Sequence, residues 1–276
     1  MRQNLFFPLC VLLATLAGGC NKMTFKLSIP DAFREQASAA PVAGSRTKHI
    51  SFAGYSTSKI KRGAHVRYPG WSRGFFLENL VLNHFGIGKT EHVEKEKARF
   101  RYSISNGKET LEVVGREQQI RRSIEYKLLN KTGPFNNFSQ LQQYSYVFSV
   151  QFADPAAQQP AWEMVLSNYF DRQKDQSGLF TIIRPDDPGI ATNGKDTFYI
   201  RPLSLQNAAL PNGKETKLLF KVIAGYEIST SDGVVAITDL VHKDIWLYNE
   251  LTGQDKIIIA AITSALYARR VKDLQW

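Results

Sequence analysis

The sequence predicts an α+β fold in which strand dominates: an antiparallel, hairpin-rich sheet with a C-terminal helix packed on it. Three observations lead there. The pentapeptide NGKET stands at residues 106–110 and again at 212–216, with NGKDT at 193–197. The three copies share no flanking sequence before them and no fixed period, but each runs into a strand-like stretch: LEVV, FYIR and KLLFKVI. Asn-Gly is the strongest short hairpin signal, because both residues accept the positive φ of a type I′ turn. The repeats therefore read as turns and not as a ligand motif. Second, the chain is rich in Phe (17) and Tyr (11), with many Val, Ile and Thr between turn signals, and such residues suit a pleated, half-buried surface. Third, GQDKIIIAAITSALYARRVKDL near the C-terminus has helical spacing at Ile258, Ile262, Ala265, Leu266 and Arg269.

Taken from the N-terminus, the first twenty residues stand apart from the fold. MRQNLFFPLCVLLATLAGGC has a basic start at Arg2, an uncharged apolar run from Leu5 to Leu16, then Ala17, Gly18 and Gly19 before Cys20. That is the layout of a secretory signal, and the run is shorter than the roughly 20 apolar residues a membrane span needs. LAGGC resembles the lipobox of bacterial lipoproteins, with Ala17 where Leu is most frequent and Leu16 one place further back. The resemblance implies that Cys20 is the lipidated first residue of the mature chain. With Asn21 and Lys22 following, and no Asp, it also implies an outer-membrane, periplasm-facing location. It covers residues 1–20 and implies nothing about the rest. The only other cysteine, Cys10, lies inside the signal run. Mature chemistry based on thiols, disulfides or Cys-held metal is thereby excluded.

Residues 34–47, REQASAAPVAGSRT, are small, polar and without apolar periodicity, and they read as a flexible linker. The chain then divides into a signal (1–19), a lipidated cysteine with its tether (20–47) and one strand-rich domain (48–276). Within the domain, SRGFFLENLVLNHFG is a candidate helix with Ser72 as N-cap and Gly86 as stop. RFRYSIS and TLEVVGR flank the first turn, and RRSIEYKLL and YSYVFSVQF are further strands. AWEMVLSNYFDR fits both periods. The loop-like stretches around it and the alternation of Trp162, Met164, Leu166, Asn168 and Phe170 favour strand. AGYEIST and VVAITDL form a hairpin about Ser231-Asp232-Gly233. The final helix starts near Gln254 and Asp255 and ends in Arg269, Arg270 and Lys272, cations suited to a helix C-terminus.

Enzymatic signatures are sparse. NHFGIGKT at 83–90 has Asn83 where a phosphate-binding loop needs its first Gly. There is no G-x-S-x-G and no H-E-x-x-H, and His49, His65, His84, His92 and His242 have no close ligand partner, so the sequence implies no cofactor and no metal. RPDDPG at 184–189 reads as a proline-fixed turn. A glycan or cell-wall hydrolase remains the rival reading, using a carboxylate pair such as Glu163 with Asp171 or Asp239 with Asp244.

Charge is the feature above background. The chain carries +10, and no acid stands between Glu35 and Glu78. That interval holds Arg46, Lys48, Lys59, Lys61, Arg62, Arg67 and Arg73, interleaved with Phe52, Tyr55, Tyr68 and Trp71. Such a stretch attracts polyanions. Export removes nucleic acid as the partner and leaves lipid phosphate, lipopolysaccharide, peptidoglycan carboxylates and other envelope proteins. Lys59, Lys61, Arg62, Arg67 and Arg73 are the expected anion-binding residues. The expected role is binding or structural, not catalytic.

Overall fold

The structure is a computed structural model that describes residues 27, 29–44, 48–64, 66–68, 87–128, 137–155, 162–171, 187–209 and 215–269. The expected antiparallel, strand-dominant sheet with its C-terminal helix is present. After a one-turn helix α1 (Asp31–Arg34) come four short strands, β1 (Ala37–Pro41), β2 (Ala43–Gly44), β3 (Ile50–Phe52) and β4 (Tyr55–Thr57). β5 (Lys61–Arg62) and β6 (Val66–Tyr68) follow. The long central strands are β7 (Ile87–Ser105), β8 (Thr110–Leu128), β9 (Asn137–Ala153) and β10 (Trp162–Asp171). β11 (Gly189–Thr192), β12 (Thr197–Ala209), β13 (Glu215–Thr230), β14 (Gly233–Asp239) and β15 (Asp244–Tyr248) complete the sheet, and α2 (Gly253–Ala268) ends the described chain.

Every pairing is antiparallel, and from β7 to β15 each strand pairs with the next in sequence. The two ends of the strand order, β1 against β15 and β2 against β3, belong to one stretch of chain. Ala37–Pro41 pair with Tyr248–Asp244, Val42 N–H donates to Lys243 O at 2.6 Å, and Ala43 and Gly44 pair with Ser51 and Ile50. The sheet therefore closes on itself. With Ala37–Gly44 as one stave and β4, β5 and β6 sharing the place beside β7, the ring has twelve staves among the described residues. This corrects the reading of 34–47 as a flexible linker: eight of its residues are the strand that shuts the barrel, and only 45–47 lie outside the described residues.

Alternation sorts side chains in and out. Phe100, Tyr102 and Ile104 on β7, Leu111 and Val113 on β8, and Tyr146, Phe148, Val150 and Phe152 on β9 point to the lumen. On β10 the lumen side chains are Trp162, Met164, Leu166, Asn168 and Phe170, as strand alternation requires. Gly115 lies opposite Phe100, whose ring covers it so closely that a Cβ there would sit 2.2 Å away.

The lumen is filled by α2. From Ile257 to Leu266 every helix residue is buried. Its hydroxyls reach opposite walls: Ser264 bonds Tyr102 of β7 at 2.7 Å, and Thr263 bonds Thr238 of β14 at 3.2 Å. The predicted apolar face is thus one part of a wholly buried surface, and the helix packs on the sheet from within. A helix apolar on all sides belongs inside a core. Thr252 caps its start, accepting from Asp255 N–H at 3.1 Å.

A second, smaller core lies outside the ring. Leu27, Ile29 and Phe33 cover Leu205 of β12, Ala224 of β13 and Ile237 of β14, with Trp246 and Tyr248 packed alongside. The segment leading into the barrel is therefore strapped across its outer wall.

The turns differ from expectation in one respect. Gly107 and Gly194 have φ +87° and +90°, but Asn106 and Asn193 do not take positive φ, so these are not type I′ turns. Each Asn instead uses its side-chain oxygen as a cap. Asn106 Oδ1 accepts from Lys108 N–H and Glu109 N–H at 2.9 and 2.8 Å; Asn193 Oδ1 accepts from Lys195 N–H and Asp196 N–H at 2.9 and 2.7 Å. The preceding hydroxyl, Ser105 or Thr192, accepts from the glycine N–H in both. The third copy straddles residues outside the description, with Glu215 and Thr216 opening β13; the candidate helix at 72–86 lies outside it altogether.

Candidate functional site

The expected basic interval is divided by the barrel wall. Lys59 and Lys61 are exposed. Arg62, the next residue on β5, turns inward: its Nη2 donates to Ala268 O at 2.7 Å, and its guanidinium lies 5.8 Å from the Phe100 ring. It caps the negative end of α2, a role the sequence reading gave to Arg269, Arg270 and Lys272. Arg67 stands in β6 opposite Glu96, while Arg73, Trp71, Arg46 and Cys20 lie outside the described residues. Phe52 and Tyr55 are core residues, 4% and 8% exposed, and contribute nothing to the surface.

The register brings Lys61 to a larger group that sequence reading missed. Lys61 pairs with Arg101 of β7, and Arg99 pairs with Arg116 of β8. Lys95, Lys97, Arg99 and Arg101 occupy alternate positions of β7 and point outward, as Arg116 does from β8; all are exposed. The six cations lie on one outer face, and two pairs of like charge sit directly opposite each other, an arrangement that costs stability. None of the six makes a side-chain hydrogen bond or ion pair among the described residues. Of the acids of these strands, Glu94, Glu96, Glu117 and Glu125 belong to the opposite set of alternating positions, Glu112 stands at one end of the row, and Glu91, four residues before Lys95, stands beyond the other end. Alternate residues on a strand are roughly 6.7 Å apart, so Lys95 to Arg101 spans about 20 Å. The signal was present in EKARFRY, where cations alternate with Ala98, Phe100 and Tyr102.

The lumen offers a different chemistry at the C-terminal end of α2. Arg269 is 9% exposed. Its Nε donates to the Tyr146 hydroxyl at 2.9 Å, its Nη1 to the Tyr226 hydroxyl, and its Nη2 to Asp187 Oδ2 at 2.9 Å. The guanidinium also lies 4.9 Å from the Tyr146 ring centre. Gln119 and Asn168 flank Tyr146 in the register. Asp187, read from sequence as part of a proline turn, is a wholly buried counter-ion. This layer pins the helix end, and its partners are protein groups.

The candidate carboxylate pairs are not built for hydrolysis. Glu163 is exposed and accepts from Gln151 Nε2 at 2.9 Å. Asp171 is eight residues further along the same strand, which places it roughly 26 Å away. Asp239 does face Asp244 across β14 and β15, but its carboxylate is committed to a turn. Oδ1 accepts from Val241 and His242 N–H at 2.8 and 3.0 Å, and Oδ2 lies 2.8 Å from His242 Nδ1. Among the described residues no three of His, Cys, Asp and Glu gather as a metal site. Comparison with family models, curated proteins and solved structures finds no match.

Proposed function

We propose that this chain is a lipoprotein of the bacterial outer membrane, acylated at Cys20, whose barrel faces the periplasm and binds an anionic envelope component without catalysis. The observation that carries the binding role is the row of six exposed cations on β5, β7 and β8, none of them engaged in a side-chain hydrogen bond or ion pair among the described residues. Like charges held directly opposite each other raise the energy of the free protein, and an anion laid across them relieves the repulsion. The lumen argues for a surface role as well: barrels that carry small ligands hold them inside, and here α2 occupies that space. The anchor rests on the charged start, apolar run and LAGGC ending of residues 1–20. Each buried acyl CH₂ contributes about 0.8 kcal/mol to membrane binding. Cys20→Ala is expected to leave the chain unprocessed or release it from the membrane fraction; a variant processed and fractionating like the parent overturns the lipoprotein reading.

A further inference from the structure

We infer that the basic face binds an extended, carboxylate-bearing cell-wall polymer on the side of the barrel away from the anchoring bilayer, and not the headgroups of that bilayer. The inference rests on the lipid anchor proposed above and adds to it the position of the strap. Leu27 is 7% exposed, fixed on the outer wall of β13 and β14. Seven peptide links separate it from Cys20, so the leash reaches at most about 25 Å.

The strand order sets the direction. Passing around the ring from β13 to β8, one crosses β12, β11, β10 and β9; passing from β14 to β7 the other way, one crosses β15, the Ala37–Gly44 stave, β3 and β4. Four staves either way place the strap and the basic row on opposite walls. Twelve staves about 4.8 Å apart, tilted about 40°, enclose a backbone cylinder roughly 25 Å across, and outward side chains bring the thickness to roughly 35 Å. The leash is shorter than the barrel is thick. With Leu27 in its seat, the row cannot lie on the bilayer that holds Cys20.

The row has the shape for a linear ligand. Lys95, Lys97, Arg99 and Arg101 run straight along β7, with Lys61 and Arg116 beside them on the neighbouring strands. Guanidinium groups take carboxylates through paired hydrogen bonds, and a polymer with regularly spaced carboxylates meets several of these cations at once, which multiplies weak contacts.

The test uses the full lipidated chain, reconstituted in phosphatidylcholine vesicles carrying a fluorescent lipid and mixed with isolated peptidoglycan sacculi. Low-speed centrifugation is expected to bring vesicles down with the sacculi at low salt, and at least tenfold fewer at 0.5 M salt. Amidating the sacculus carboxylates should abolish capture. The charge reversal Arg99→Glu, Arg101→Glu, Arg116→Glu should reduce it at least tenfold, and so should the milder triple change to Gln, which covers failure of the first to fold. Lys108→Glu with Lys195→Glu, in the exposed turns, should leave it unchanged. Adding phosphatidylglycerol to the chain's own vesicles should also leave capture unchanged. Capture abolished by that lipid, or insensitive to amidation or to both triple variants, overturns the inference, as does a chain that floats with vesicles and captures nothing. A chain that does not float with the vesicles overturns the anchor reading instead, and the bilayer-facing argument with it.

Discussion

Burying a guanidinium costs several kcal/mol unless its donors are answered and its charge is matched. Arg269 meets both conditions through Tyr146, Tyr226 and Asp187. Arg269→Met removes the cation and leaves the Asp187 carboxylate, 0% exposed, without it. The expected loss is about 3–5 kcal/mol, read from the urea midpoint. Adding Asp187→Leu should restore most of that loss, and a double variant no more stable than the single one would mean that the pair is not the source. Tyr102 gives a pH prediction. Burial pushes its hydroxyl far above the usual value of 10.0, with the Ser264 bond pulling modestly back. Above pH 10 the unfolded chain releases this proton and the folded chain retains it. Tyr102 therefore contributes stability that is full below about pH 10 and declines as the pH rises further. Tyr102→Phe should cost about 1 kcal/mol at pH 7 and lose less than the parent between pH 9 and pH 11; parallel curves would refute the account.

At the scale of elements, the turns and strands were legible and the geometry of the turns was not. Asn-Gly marks a hairpin whichever way the turn is built, because Gly supplies the positive φ and Asn supplies either a second positive φ or a side-chain cap. The cap is what forms here, supported by the hydroxyl at Ser105 and Thr192, a residue outside the repeated pentapeptide. Gly107→Val and Gly194→Val should each cost about 1–3 kcal/mol from backbone strain, since a Cβ at either meets open space. Asn106→Ala and Asn193→Ala should cost about 1 kcal/mol each, measured by thermal midpoint. For α2 the period and the packing on the sheet were read correctly, but not that the packing covers every side. Its sequence already said that the helix is apolar all round, as Ile257, Ile258, Ile259, Ala260, Ala261 and Ile262 leave no polar face. Ala260→Lys and Ser264→Lys, on the side an amphipathic helix would leave wet, should therefore destabilise as severely as Ile262→Lys. Near-neutral results at the first two would place the helix on the outside of a sheet.

For the molecule as a whole, closure was the hidden fact. ASAAPVAG has small side chains, a proline and no alternation, and nothing local distinguishes it from a linker; it is a strand because two strand edges, Asp244–Tyr248 and Ile50–Ser51, present unpaired groups to it from either side. Tertiary context decides such segments. Likewise the basic face could not be read from residues 46–73 alone, because it takes the pairing of β5 with β7, and of β7 with β8, to bring Lys61, Arg99, Arg101 and Arg116 onto one face. Replacing 37–44 by a Gly-Ser stretch should free both edges and raise the molecular mass in solution through edge pairing, seen by light scattering; a variant of parental mass and stability would show that closure contributes little.

The ring-closing stave precedes the long strands in sequence and the lumen helix follows them, and that has a consequence for how the protein is made. Residues 37–44 emerge before β3 to β15, and residues 253–268 after them. The early segment finds one of its partners, β15, only some two hundred residues later, and the barrel has nothing to close around until α2 arrives. A nascent chain therefore has an open meander with apolar inner faces throughout its delivery, and no partial product is a smaller version of the finished one. Pairings this distant in sequence are slow to form. The inner faces stay uncovered until the residues that form α2 have been delivered.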